Sequence, residues 1–467
     1  MTCRRPRPRT LLDAIAALAL GTCACADHDA PAAADSSTGS AQTDTTAAST
    51  GDGTGSSEGT TGGGVAAVTY YEHVKPIFDG RCVACHREGG IAPFSLEAYE
   101  DAATWAPSVA TAVAAGTMPP WPPSSACNEY IGNRSLTDDQ IALVSAWAAD
   151  AAPMGDPANE GAPLGGLEGG LSRVDRTLTM AEPYTPQQSP DEYRCFLVPW
   201  PDDLDATTYV TGFRAVPGND AIVHHVIAFL ATPDQIADYE ALDAAEDGPG
   251  YTCFGGTGGP SRTWLGGWAP GGVGNDLPPG LGLEVPAGSM VILQLHYNTL
   301  ASDPAPDATA IELSIEPDVE KVARVIPFAN PAWPGGGMPI PADEADVVHE
   351  FQRDISPLLG SPQTVYAAAL HMHTRGTRAS LTIDRAGGDS DCVLEIDDWD
   401  FHWQGSYGLQ TPLALGEGDE LRLQCHFDNT AANQPYVDGE PLPPTDTNWG
   451  EGTTDEMCLG VLLVAPS

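Results

Sequence analysis

The sequence predicts a multidomain chain: a small all-α domain followed by two tandem all-β domains of the jelly-roll or β-sandwich type. Three observations predict it. The stretch "LTDDQIALVSAWAADAAPMGDP" has helical periodicity, with Ile141, Val144, Trp147 and Ala148 on one apolar stripe. From about residue 181 the pattern changes to short alternating runs such as "TYVTGFRAV", "MVILQLHYN", "ASLTI" and "ELRLQCHF", separated by Gly, Pro and Asp. That is the signature of half-buried strands. Finally, residues 181–467 are too many for a single sandwich core, so two in tandem are expected.

The chain begins with Arg4, Arg5, Arg7 and Arg9, followed by "LLDAIAALALGT", a short apolar core interrupted by Asp13. This segment is too short to span a bilayer and reads as an export signal over residues 1–25. "LGTC" resembles a bacterial lipoprotein cleavage box, which makes Cys23 the candidate lipidated residue. Thr22 departs from the usual Gly, Ala or Ser, and simple cleavage with release is the alternative. Either route implies an exported bacterial protein, periplasmic or held as a lipoprotein at the outer membrane or cell surface. Residues 26–66 are mostly Ala, Ser, Thr, Gly and Asp, with almost nothing to bury, and are expected to be a disordered linker. Lys plus Arg number 20 against 64 Asp plus Glu, a net charge of −44. Nucleic acid is thereby excluded as a partner, and an anionic membrane face is disfavoured. Solubility by self-repulsion accounts for most of this acidity.

"CVACH", Cys82 to His86, places two thiols two residues apart with a histidine behind them. That spacing suits covalent attachment of haem c through Cys82 and Cys85, with His86 as proximal iron ligand. A redox dithiol or half of a zinc site is the bland alternative, but no second CxxC supports zinc. Met118 in "TMPPWPP", held by a stiff run of prolines, is the candidate second axial ligand. "VTYYEHVKPIF" leads into the motif, and "EAYEDAATWAPSVATAVAAG" reads as a helix interrupted near Pro107. Thr137 and Gln140 have capping-box spacing, and Pro153 with Gly155 stops the last helix. Residues 67–156 therefore look like a class I-like cytochrome c domain. "GGIAPFSLEAYEDA" and "MPPW" resemble haem modules fused to bacterial oxidoreductases. Residues 157–180, rich in Gly, Ala and Pro, form a second linker.

The β region carries histidines in pairs. In "ALHMHTRG", His371 and His373 are i and i+2 on a strand and project to one face, with Met372 on the other. Such a pair is either a metal site or a solvated strand face. His224 and His225 in "AIVHHVIAF" are adjacent, so a regular strand would send them to opposite faces. Both reach one metal only if the backbone bends or different ring nitrogens are used. His296 sits in an apolar strand with Gln294 on the same face. "WGEGTTDEMCLG" puts Met457 beside Cys458. His73, His349, His402 and His426 have no motif around them and read as structural or solvated.

Taken in order, "VHHVIAF", "YTCFGGTGG", "LQLHYN", "HMHTRG" and "DEMC" resemble the type II, ascorbate-dependent copper monooxygenases. That family includes the peptidylglycine α-hydroxylating and dopamine β-monooxygenases. The resemblance covers most of 181–467. It implies an N-terminal copper domain over 181–320 and a C-terminal one over 321–467, as separate sandwiches facing a cleft. It further implies two coppers: an electron-transfer site at His224, His225 and His296, and an oxygen site at His371, His373 and Met457. Imidazole suits both copper oxidation states, and a thioether favours Cu(I). The resemblance also pairs Cys195 with Cys253 and Cys425 with Cys458. Cys127 and Cys392 are left over: they pair across domains, or one stays free.

Two departures shape the functional expectation. Peptidylglycine-hydroxylating members hold the peptide carboxylate with an arginine two residues before the HxH pair, where this chain has Ala369. Polar residues expected after the Met-Cys pair are Leu459 and Val461. A carboxylate without a partner in that pocket is costly, so an apolar or small neutral substrate is expected. The fused haem domain would deliver single electrons from an unidentified external donor in place of ascorbate. The expected activity is hydroxylation of a C–H bond with O2. The alternatives are a haem and copper electron-transfer or copper-handling protein without hydroxylase activity, and a structural surface protein.

Overall fold

In a computed structural model, the described residues are 67–467, apart from 91, 163, 165–169, 190, 270, 271, 300, 301, 361, 438, 439 and 451–453. The expected signal segment, Cys23 and the linker over 26–66 lie outside them. Among the described residues no helix is long and apolar enough to cross a membrane.

Residues 67–156 form a helical unit with α1 (Lys75–Arg81), α2 (Tyr99–Ala114) and α3 (Asp138–Ala149). The capping box at α3 forms as expected: the Thr137 hydroxyl accepts the Gln140 amide at 3.3 Å, and Gln140 Oε1 accepts the Thr137 amide at 3.0 Å. The expected break near Pro107 does not occur, since α2 runs through it. Pro107 is exposed, and its carbonyl accepts the Thr111 hydroxyl at 2.9 Å, so the lost backbone bond is confined to the solvent face. Tyr70, Phe78 and Trp147 meet at the centre, with Trp147 and Phe78 edge to face at 5.9 Å. Burying side chains of this size contributes on the order of 1.5–3 kcal/mol each.

The first sandwich packs two sheets. One has the strand order Tyr251–Thr252, Asp191–Pro199, Met290–Asn298, Val223–Ala231 and Thr263–Trp268. The other runs Arg176–Thr179, Ala310–Glu316, Thr208–Val216 and Leu281–Val285. Phe196, Val226, Leu293 and Leu295 from one meet Val210, Leu283, Ile311 and Leu313 from the other. The second sandwich opposes Val347–Arg353, Glu420–Phe427, Gly376–Asp384 and Ser390–Ile396 to Lys321–Phe328, Leu459–Pro466, Gln363–His371 and Ser406–Leu415. Leu370, Met372, Leu381, Leu423 and Leu462 fill its core.

The sandwiches are not separate bodies joined by a linker. Lys321–Ala323 pair in parallel with Leu281–Leu283, and the same strand continues as Arg324–Phe328, antiparallel to Gly460–Val464. One sheet therefore runs through both. The helical unit is also fastened. Its segment around Pro123–Ile131 makes bridges to Ile396 and Leu409. Tyr130 is buried in the second core, where its hydroxyl donates to the Val393 carbonyl at 3.0 Å. Cys127 and Cys392, left open between a pair and a free thiol, form a disulfide across this strap. Their separation of 265 residues hid the pairing, which arises only from docking the strap on the sheet.

Candidate metal centres

The first centre forms where two paired strands of the first sandwich carry histidines. His225 is directly opposite His296. Between Val223 and His225 the register shifts, so His224 is the extra residue of a β-bulge. A bulge re-aims one side chain, which removes the objection that adjacent residues face apart. His224 Nδ1 lies 3.1 Å from His296 Nδ1, and His225 Nδ1 lies 3.3 Å from it. One ligand atom from each of the three rings falls within 4.8 Å of the others.

The surroundings set the tautomer. His296 Nε2 is 2.8 Å from Asp191 Oδ1, and a carboxylate only accepts, so Nε2 carries the proton. In the neutral ring Nδ1 is then a lone pair aimed at its neighbours. Asp191 is itself held by Asn298 Nδ2 at 3.0 Å. Tyr193, opposite His296 on the neighbouring strand, stacks flat on its ring at 4.1 Å. Burial, and then the other imidazoles, push His224 down to about 3 and His225 well below its ordinary value. Burial also lowers His296, against the pull of Asp191. All three are thus neutral ligands at neutral pH. One lone pair accepts from one neighbour only, whereas a cation satisfies all three nitrogens together. The donor set suits copper.

The second centre is assembled at the end of the Gln363–His371 strand. His371 and His373 have ring centres 5.0 Å apart, and Met372 between them is buried in the core. Gln404 donates through Nε2 to the Phe401 carbonyl at 2.9 Å, which turns its Oε1 toward His371 Nδ1–H. His373 Nδ1–H donates to the Asp455 carbonyl at 3.2 Å. In His371 and His373 it is thus Nδ1 that is held by a neighbouring oxygen, whereas in His296 it is Nε2. Met457 is brought beside them by the loop entering the last strand, where Leu459 pairs with His371. Met457 is buried, and Cys425–Cys458 crosslinks its neighbour. Cys195–Cys253 closes the corresponding loop of the first sandwich.

Sequence reasoning missed the residue that joins these ligands. Glu456 is fully buried; it accepts the His373 amide at 2.9 Å and the Arg375 amide at 2.6 Å. Burial pushes its carboxyl up to about 8, against the pull of those amides and of the Arg375 guanidinium. Arg375, also buried, donates to Asn429, Gln434 and the Thr454 carbonyl. One carboxylate and one guanidinium thus clamp the turn after His373 to the turn before Met457. "HMHTRG" and "DEMC" contained both residues, but nothing in either motif showed that they meet. Along the same face, Ala369 pairs with Val461, so an apolar wall flanks His371.

His402, expected to be structural or solvated, is exposed and paired with Asp400 at 3.0 Å, which raises its pKa. Its ring nevertheless meets His224, with centres 6.0 Å apart. His73 meets the Thr69 amide, His349 the Pro339 carbonyl and the Trp333 and Phe427 rings, and His426 meets Asp346, Arg378 and Gln424.

In the helical unit, Cys82 and Cys85 are the free cysteines among the described residues, while the six others form three disulfides. His86 Nδ1 donates to the Phe94 carbonyl at 3.2 Å, leaving Nε2 available. Met118 is half-buried beyond α2. No hydrogen bond or ring contact ties it to His86 among the described residues.

Residues 356–464 match the family model for the copper type II ascorbate-dependent monooxygenase C-terminal domain, a span that contains His371, His373 and Met457. The chain is 24% identical over 265 residues to DBH-like monooxygenase protein 1 of Gallus gallus, covering 53% of this chain and 40% of that protein. It is 26% identical over 266 residues to the Homo sapiens protein of the same name, with the same coverage of 53% and 40%. DBH-like monooxygenase protein 2 of Mus musculus is 23% identical over 279 residues, covering 57% and 42%. The chain thus spans about two-fifths of the length of these relatives. Among solved structures, PNGF-II aligns at a TM-score of 0.23 with 12% identity over 62% of this chain and 65% of that one, which carries no argument. Over these spans the chain is similar to the copper type II, ascorbate-dependent monooxygenases and to the DBH-like monooxygenases. Copper and O2 are the cofactor and co-substrate which that family implies.

Proposed function

We propose that the chain hydroxylates a C–H bond of an apolar or small neutral molecule with O2, using copper at both centres. The observation that carries this reading is the pair of histidine sets, three ligand atoms within 4.8 Å of one another in the first and two rings 5.0 Å apart beside a buried thioether in the second. Bound copper would supply single-electron chemistry and, at the centre with Met457, activation of oxygen. This chain's residues do the rest. Asp191 and Tyr193 orient His296 for the electron-transfer centre. Gln404, Asp455 and Glu456 hold His371, His373 and Met457 for the oxygen centre. Ala369, Leu459 and Val461 offer the substrate no charge partner, which favours a neutral ligand over a carboxylate.

The helical unit would supply electrons through haem c on Cys82 and Cys85, with His86 and Met118 as axial ligands. Several observations support this. Both thiols are unpaired where all other described cysteines are oxidised, and the His86 ring is oriented as an iron ligand requires. Arg87 makes an ion pair with Asp220, four residues before His224. A cavity of about 390 Å³ lies between Ala84, Cys85 and Arg87 on one side and Trp268 and Val273 on the other, and Trp268 pairs with Val226 beside His225. The disulfides agree with an exported protein, and the export signal with an anchor at Cys23 completes the reading.

Oxygen uptake with a reductant, coupled to a product carrying labelled oxygen, tests the hydroxylase. Uptake without any labelled product would overturn it. The second reading, electron transfer or copper handling alone, is favoured by the missing clamp at Ala369 and predicts that second outcome. Reduced haem that reoxidises no faster with copper bound than after its removal would eliminate haem as the donor.

A further inference from the structure

The loop between Ser390–Ile396 and Ser406–Leu415 reaches both centres, and we propose that its Phe401 and His402 form an aromatic relay for electrons between them. The inference rests on the two-copper reading and extends it to a route. His224 and His402 have ring centres 6.0 Å apart at an interplanar angle of 89°. His402 and Phe401 follow at 5.8 Å and 75°, then Phe401 and His373 at 6.1 Å and 79°. Each contact is edge to face, within the range of touching aromatic pairs. Four rings therefore run without a break from a ligand of the first centre to a ligand of the second. Electron tunnelling decays less steeply through packed rings than through a solvent gap of the same length.

The rings are held in place. Asp400 accepts both the His402 amide at 2.9 Å and the His402 ring at 3.0 Å. Gln404 fastens the Phe401 carbonyl at 2.9 Å while accepting from His371. Trp399 anchors the loop entrance by donating Nε1–H to the His373 carbonyl at 3.1 Å. Neither relay residue has a competing structural duty: the His402 side chain is 56% exposed, and Phe401 belongs to no core cluster. His224, His402, Phe401 and His373 would serve a one-electron exchange in which copper held by the first histidine set would be oxidised from cuprous to cupric as copper held by the second would be reduced from cupric to cuprous. No bond forms or breaks.

The test begins with copper analysis of the full chain. A native protein holding fewer than two coppers overturns the relay together with the two-copper reading. With two bound, the oxidised protein is given less than one electron per chain by flash photoreduction without oxygen. Freeze-quench paramagnetic resonance then follows the cupric signals of the two centres. Phe401→Leu and His402→Leu are each expected to slow exchange by an order of magnitude or more while keeping both coppers. Phe401→Tyr and His402→Phe, which keep a ring, are expected to restore it. Native exchange in the Phe401→Leu/His402→Leu double variant with both coppers bound would overturn the relay. Electrons would then cross directly from the His225 side to His371. Loss of copper from either leucine variant, unrepaired by its ring-keeping counterpart, would also overturn it and make the loop a structural support.

Discussion

The two candidate centres are built by different means. All three histidines of the first lie on two neighbouring strands, with His225 opposite His296 and His224 displaced by a bulge. Backbone pairing alone sets their spacing. The second centre draws His371 from a strand end, His373 from the turn beyond it and Met457 from a loop far along the chain. Side chains hold it together: Glu456, Arg375 and Gln404. A centre made by a sheet tolerates changes around it, whereas one made by buried polar clamps fails when a clamp is cut.

The largest expected effect follows. Glu456→Ala leaves the buried amides of His373 and Arg375 without their acceptor, at roughly 1–3 kcal/mol for each unsatisfied group. Copper content is expected to fall from two to one per chain, with the three-histidine signal retained in paramagnetic resonance. Met457→Ile removes the thioether alone. It is expected to abolish the proposed coupled hydroxylation while leaving the absorption spectrum of the proposed haem unchanged, and hydroxylation that persists would move the oxygen centre elsewhere. Asp191→Asn strikes the first centre, where losing the partner that sets a histidine tautomer lowers metal affinity by about 10–100-fold. Chelator competition should show that loss at the first centre only.

A smaller effect concerns pH. The folded-state pKa values of His224, His225 and His296 are depressed, so protonation favours the unfolded chain. In metal-free protein this contribution is fully present above the ordinary histidine value of 6.5 and lost as pH falls toward about 3, the value for His224. Denaturant midpoints measured across that window should decline, and His224→Gln should flatten the decline. The smallest effect is expected for Arg87→Ala. An ion pair of this exposure is worth at most about 1 kcal/mol, so thermal unfolding should barely change while reoxidation of the proposed haem slows.

Much of this was legible in the chain itself. Alternation marked the strands, the capping box at Thr137 and Gln140 formed as written, and the histidine and Met-Cys motifs marked the residues that gather. Other features were not. Strict alternation argued against His224 and His225 acting together, because a bulge depends on the partner strand's register. His402 looked solvated because a loop residue carries no periodic signal of what it faces. Glu456 and Arg375 lay inside quoted motifs, yet only the fold makes one the other's neighbour.

The sequence by itself determined which residue types are present at which local spacing: helical stripes, strand alternation, paired histidines, a CxxCH run. These follow from backbone geometry within a few residues. Only the tertiary structure decided that a bulge turns two adjacent histidines to one point, that Cys127 reaches Cys392, and that one sheet joins both sandwiches. It alone carried Phe401 and His402 between the centres. Each of these depends on contacts between segments far apart in the chain, whose positions are set by the packing of whole sheets.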